Sequence, residues 1–216
     1  MTKATGIRGD KKHASSAGNG LLPAWVNPDL DRLLEVKRVE GDFQSWAVSL
    51  VELPAGALFA RITGVAVSRP SWSSVQAGRN LHIDLKSDLV FVNHSCDPTL
   101  EWDMERMEIR VSRNHDLKKG DLLSFFYPST GQYHFWRVRE DNKSPNHSRY
   151  SRELPAPVVQ STPFDCWCGA GEGVCLGHIS GAIGLDAERL GSYWINGYIS
   201  EMLEEASKKN QNGDLY

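Results

Sequence analysis

Apolar residues fall along this chain in short runs rather than in long helical stripes. The runs Trp46 to Val51 and Ala57 to Ile62 flank Pro54-Ala55-Gly56, and β-type runs on either side of such a turn predict two strands joined by it. Further strand patterns cover Asn80 to Leu85, Leu89 to Val92, Met107 to Ser112 and Leu122 to Tyr127, the last preceded by the turn Lys118-Lys119-Gly120-Asp121. Two stretches carry helical spacing instead. Leu30, Leu33 and Leu34 follow the helix start Asn27-Pro28-Asp29, which predicts a short helix within 21–36. Leu185, Leu190, Trp194, Ile195, Ile199 and Leu203 predict a C-terminal helix over 185–205, interrupted near Gly191 or Gly197. Many short strands with few helices make the expected fold class mainly β.

Two segments follow neither period. Residues 1–20 are rich in Gly, Ser, Ala and Lys with almost nothing to bury, the composition of a disordered tail. Residues 131–160 are polar and basic and contain Pro145, Pro155 and Pro157. The plain reading of this stretch is a surface insertion. A second is a recognition segment whose Arg137, Arg139, Lys143, Arg149 and Arg152 present a basic face to an acidic partner. A third is sequence foreign to the native protein. The expected organisation is a tail at 1–20, a core at 21–127, a polar insertion or loop at 128–163, a Cys- and Gly-rich module at 164–180, and a C-terminal helix and tail at 181–216.

Composition narrows the classes of function. With 216 residues, 40% of them hydrophobic, the chain can bury one substantial core. Its 24 Lys plus Arg against 27 Asp plus Glu leave a net charge of −3, so no general field draws in phosphate backbones and nucleic acid is not an expected partner. No apolar run reaches the roughly 18 residues of a membrane span, and the opening residues lack the apolar stretch of a secretory signal. The expectation is an intracellular protein, cytoplasmic or nuclear, without a membrane partner. In a reducing compartment its four cysteines read as metal ligands or core residues before they read as disulfides.

Three of the four lie close together. Cys166, Cys168 and Cys175 form a Cys-x-Cys-x6-Cys cluster with Gly169, Gly171 and Gly173 between them, and glycines let a short loop fold back around an ion. Structural zinc takes four ligands in a tetrahedron, and the fourth cysteine is Cys96, far upstream. Spacing leaves two readings open: a zinc site, or a buried Cys96 with three unligated thiols.

The surroundings of Cys96 bear on that choice. The string Val92-Asn93-His94-Ser95-Cys96-Asp97-Pro98 resembles the Asn-His-Ser-Cys motif of the SET-domain protein methyltransferases. Gly120-Asp121-Leu122-Leu123-Ser124-Phe125-Phe126-Tyr127 resembles that family's second motif, Gly-Asp-Glu-Leu-Thr-Phe-Asp-Tyr. The resemblance runs from about Phe43 to Ser180 and includes the three cysteines that follow, as in the family's post-SET module. It implies a β-clip-like fold of several short sheets with a knotted crossover, and one structural zinc held by Cys96, Cys166, Cys168 and Cys175. It also implies S-adenosylmethionine as cofactor, bound near Asn93 and His94, and methyl transfer to a lysine amine of a protein or peptide at Tyr127.

The chain departs from the family in places. Where the family has a Gly-x-Gly turn for the cofactor, Gln44, Ser45 and Trp46 stand here, so Trp46 meets the cofactor with a ring or blocks it. Asp88-Leu89-Val90-Phe91 replaces an arginine-phenylalanine pair, leaving Phe91 as the cofactor-side aromatic, and Thr99 replaces an asparagine. Trp167, between two cysteines, is a candidate to pack on the cofactor edge or the metal loop. These departures keep two alternatives in play: a SET fold repurposed for cyclisation or isomerisation of a small molecule, and a non-catalytic peptide-binding module. The acidic group Glu101, Asp103, Glu105 and Glu108 reads as a solvated turn.

Overall fold

The computed structural model describes residues 30–40, 44–67, 70–71, 73–131, 163–185 and 187–211. The predicted N-terminal tail, the helix start at Asn27 to Asp29, and residues 132–160 with their arginines lie outside the described residues.

The predicted short helix is one turn, α1 (Leu30–Leu33), and the chain then becomes strand β1 (Leu34–Arg38). Propensity yields here to pairing. Strand β1 runs antiparallel to β2 (Ser45–Ser49), with Leu34 opposite Ser49 and Arg38 opposite Ser45. Alternation puts Leu34 on the face that carries the buried Ala47 and Ser49, so a helical continuation would pull Leu34 out of the core.

After the Pro54-Ala55-Gly56 turn comes β3 (Leu58–Arg61); Gly56 has φ 75°, a conformation that glycine adopts without Cβ strain. Strands β4 (Val65–Val67), β5 (Ser74–Gly78) and β6 (Leu81–Asp84) form a separate antiparallel sheet in the order β4-β6-β5. In place of the strand expected over Leu89 to Val92 is a 3-10 turn, Asp88–Phe91, closed by Val90 and Val92 N–H groups donating to Ser87 and Leu89 carbonyls. A short apolar run has no period of its own, and here the turn lowers Leu89 into the core.

The central sheet has five strands in the order β3-β9-β8-β10-β7. Its members are β7 (Asn93–His94), β8 (Leu100–Asp103), β9 (Glu108–Val111) and β10 (Ser124–Phe125), together with β3. Of the acidic group, Glu101 and Asp103 lie in β8 and Glu108 in β9, and only Glu105 sits in the exposed turn between them. Leu100 and Trp102 point into the core, and the acids are engaged: Asp103 with Arg106 at 2.8 Å, Glu108 with Arg61 and Arg110 at 2.6 Å each, and Glu101 with Arg113 at 3.2 Å. Trp102 is a core residue at 0% exposure and stacks on Phe125 with centroids 4.4 Å apart. Strand β10 is parallel to both β8 and β7.

Strands β11 (Phe164–Asp165) and β12 (His178–Ile179) clamp the cysteine-rich loop as an antiparallel pair. The C-terminal helical pattern resolves into α2 (Ala187–Leu190) and α3 (Gly197–Gln211), with the break between them at the predicted glycines. Arg79 ties α3 to the three-stranded sheet through Glu201 and Glu205. The described part of the chain is thus mainly β, as its short apolar runs predict.

Candidate functional site

The two sequence motifs meet in the parallel pair β7–β10, where Asn93 lies opposite Ser124 and His94 opposite Phe125. The chain leaves β10 through Phe126 into a 3-10 turn over Tyr127–Ser129. This places Tyr127 beside His94: the Tyr127 N–H donates to His94 Nδ1 at 3.3 Å, and the two rings meet edge to face at 5.3 Å. Since Nδ1 accepts, the ring proton sits on Nε2, which lies 3.4 Å from the Cys96 sulfur.

Tyr127 is half-buried among aromatic rings. Phe125 lies 4.7 Å away and Phe164 6.3 Å, while Phe164 also meets His94 edge-on at 5.6 Å. The phenol donates to the Val92 carbonyl at 3.4 Å, and burial pushes its pKa well above the ordinary tyrosine value, so it stays protonated. Phe164 was not singled out by the sequence reading. The signal for it was available: an aromatic residue two positions before the first clustered cysteine, on the strand that carries the loop.

On the other side of β7, the Asn93 amide donates to the Ser45 carbonyl at 3.0 Å. Strand β2, which begins at the positions where the resembled family has its Gly-x-Gly turn, is therefore in direct contact with the Asn-His segment. Trp46 is the next residue along, half-buried and opposite Lys37. Phe91 ends the 3-10 turn two residues before Asn93, and the Arg38 guanidinium lies over its ring, 5.0 Å from the centroid. Trp167 stands apart at 92% exposure, with no ring contact among the described residues. Of the candidate cofactor residues, the fold therefore brings Asn93, His94, Phe91 and Trp46 into one neighbourhood and leaves Trp167 open on the adjacent module.

All four cysteines converge. Their sulfurs lie within 4.8 Å of one another. Cys96–Cys166 and Cys168–Cys175 are each 3.8 Å apart. Backbone N–H groups point at the sulfurs: Cys96 to Cys168, Leu176 to Cys96, and Gly177 to Cys175, each at 3.4 Å. Gly177 can do this because it holds φ 71° while its carbonyl accepts the Cys166 N–H at 2.7 Å. Taken as thiols, three of them differ sharply. Burial pushes Cys96 up to about 11 and Cys166 higher still, whereas Cys168, half-buried and also desolvated, is brought down to about 7 by the Cys96 and Ala170 N–H groups. Four soft sulfur donors this close together, with N–H groups pointing at them, could hold a metal ion.

A cleft of about 880 Å³ opens between the cysteine loop and the segment joining α2 to α3. Phe126 and Tyr193 form part of its wall, stacked with centroids 3.7 Å apart and planes 7° from parallel. Asn93, His94 and Tyr127 do not line it. Among the described residues no helix is long and apolar enough to cross a membrane.

With this geometry in view, likeness to known proteins becomes informative. Methyltransferase flvH of Aspergillus flavus is 39% identical to this chain over 183 residues, which is 84% of this chain and 87% of that protein. No protein-family model matches the chain.

Proposed function

The chain belongs to a methyltransferase family, and on that premise we propose that it transfers a methyl group from S-adenosylmethionine to an amine in a SET-type site, with a protein lysine as acceptor. The observation that carries this reading is the parallel pairing of β7 with β10, which sets Asn93 and His94 beside the segment leading into Tyr127. The Asn93 amide, the Phe91 ring and the open indole of Trp167 suit the binding of a flat, charged cofactor between β7 and the cysteine module.

When bound, S-adenosylmethionine supplies an electrophilic methyl: the amine lone pair forms the N–C bond as the C–S bond breaks, the bonding pair passes to sulfur, and the product ammonium loses its proton to solvent. Tyr127 takes part without losing a proton. Its oxygen accepts an N–H of the incoming amine and steadies the positive charge that spreads over the methyl in the transition state. Phe125 and Phe164 surround the phenol with aromatic faces that exclude water and favour a cationic product. The four thiols suit zinc, since a tetrahedron with Zn–S bonds of about 2.3 Å has edges of about 3.8 Å. Cys96–Cys166 and Cys168–Cys175 show that separation, 3.8 Å each. Zinc in this closed site would be structural, joining the module of Trp167 to the segment just after β7.

The test is transfer of label from methyl-tritiated S-adenosylmethionine to protein fractions and, in parallel, to free alkylamines. The reading predicts labelled protein lysine, with a rate about 100-fold lower in Tyr127→Phe. Label on a small amine alone would move the acceptor to a small molecule. Absence of S-adenosylmethionine binding in calorimetry would overturn the function.

A further inference from the structure

Three consecutive carbonyls follow the turn that carries Tyr127, and each accepts a hydrogen bond from the C-terminal part of the chain. The Ser129 carbonyl accepts two, from the side chain of Asn196 at 2.8 Å and from its backbone N–H at 3.2 Å. The Thr130 carbonyl accepts the Tyr198 hydroxyl at 3.0 Å, and the Gly131 carbonyl accepts the Ala182 N–H at 3.0 Å.

Asn196 is 1% exposed, and every polar atom of its side chain is used. Its second amide hydrogen goes to the Trp102 carbonyl at 3.0 Å, and its oxygen accepts the Met104 N–H at 2.9 Å. One side chain therefore joins the end of β8 to the turn after Tyr127, across the stack in which Trp102 packs on Phe125 and Phe125 on Tyr127. The Tyr198 hydroxyl shares its single proton between Thr130 and the Gln76 carbonyl, 2.6 Å away on β5. A core-packing role for this segment needs only apolar contact, which the buried Ile199 supplies. Three hydrogen-bonded carbonyls in a row do something else: they fix the path of the backbone leaving Tyr127.

We propose that Asn196 and Tyr198 are positioning residues for methyl transfer, setting the orientation of Tyr127 by clamping the carbonyls of Ser129 and Thr130. The proposal rests on Tyr127 being the transfer residue. The clamp acts on the transition state, because a small error in the placement of the phenol weakens alignment with the amine without disturbing the cofactor. Ala182, just beyond the cysteine module, holds the next carbonyl, that of Gly131.

The test compares the wild-type chain with Tyr198→Phe, which keeps the ring and removes only the hydroxyl. The expected result is a kcat lowered about tenfold, with unchanged affinity for S-adenosylhomocysteine and unchanged zinc content. In a Tyr127→Phe background, Tyr198→Phe is expected to have no further effect on kcat, since it acts through that phenol. An unchanged kcat in Tyr198→Phe would overturn the inference, as would the same tenfold loss in the Tyr127→Phe background, which marks a general loss of fold. Asn196→Ala, the more disruptive variant, is expected to show the same dependence on Tyr127 in whatever fraction folds. A wild-type chain that transfers no methyl would remove the functional reading itself, an outcome visible before any variant is made.

Discussion

His94 accepts the backbone N–H of Tyr127 on Nδ1 and turns Nε2 toward the sulfur of Cys96, 3.3 and 3.4 Å away respectively. One imidazole thus touches both Tyr127 and the cysteine cluster, and with Nδ1 accepting it does so as the Nε2-protonated tautomer. Nitrogen NMR should show His94 with its proton on Nε2. Because N–H groups around a metal's sulfurs tune its hold, His94→Ala is expected to weaken zinc affinity about 10- to 100-fold, read by competition with a chelator.

One zinc per chain is expected by elemental analysis, and Cys96→Ser should lose it. Structural zinc contributes folding free energy directly, so chelation should lower Tm by about 10 °C or more, at roughly 2–4 °C per kcal/mol for a chain of this size. Retention of both metal and Tm in Cys96→Ser would break the assignment.

The buried phenol of Tyr127 stays neutral across the working range, since its pKa is raised well above the ordinary value by desolvation. The rate should therefore climb with pH as the acceptor amine deprotonates, from a free lysine value of about 10.4. A rate that falls between about pH 8 and 10 in a protein that remains folded would mean that Tyr127 ionises and that its burial is not what governs it.

His82 lies in β6 with most of its surface buried, and desolvation lowers its pKa from the ordinary 6.5. The unfolded chain then binds the proton more readily than the folded one. Stability is complete above about pH 6.5 and drains away as pH falls from there toward the lowered folded value. Thermal unfolding between pH 7 and 5 should show this loss, and His82→Gln should flatten it.

Strands β2, β3, β6 and β9 were legible in the sequence because each carries its own apolar run and turn. The helix pattern that ran on through Leu34 was misleading because the pairing of β1 with β2 decides the fate of that residue, and a partner strand leaves no mark in local spacing. Strand β8 was hidden for a related reason. Its charged residues Glu101 and Asp103 read as solvent-facing until their arginines, Arg113 and Arg106, are seen beside them. The meeting of all four cysteines followed from the resemblance around Cys96, whereas spacing alone left it open. The Asn196 clamp stayed out of reach, since a buried amide that satisfies backbone groups from two distant segments has no sequence pattern.

The cysteine cluster also sets a timetable. Cys96 and Cys166 are 70 residues apart in sequence. At about 5–20 residues per second, a ribosome takes roughly 4–14 s to follow the first thiol with the second. Strand β10 (Ser124–Phe125) is made in the first half of that interval, so β7 gains its parallel neighbour while Cys96, just beyond β7, still waits as a lone thiol. A metal ion that needs all four sulfurs can be held only once Cys175 has been made.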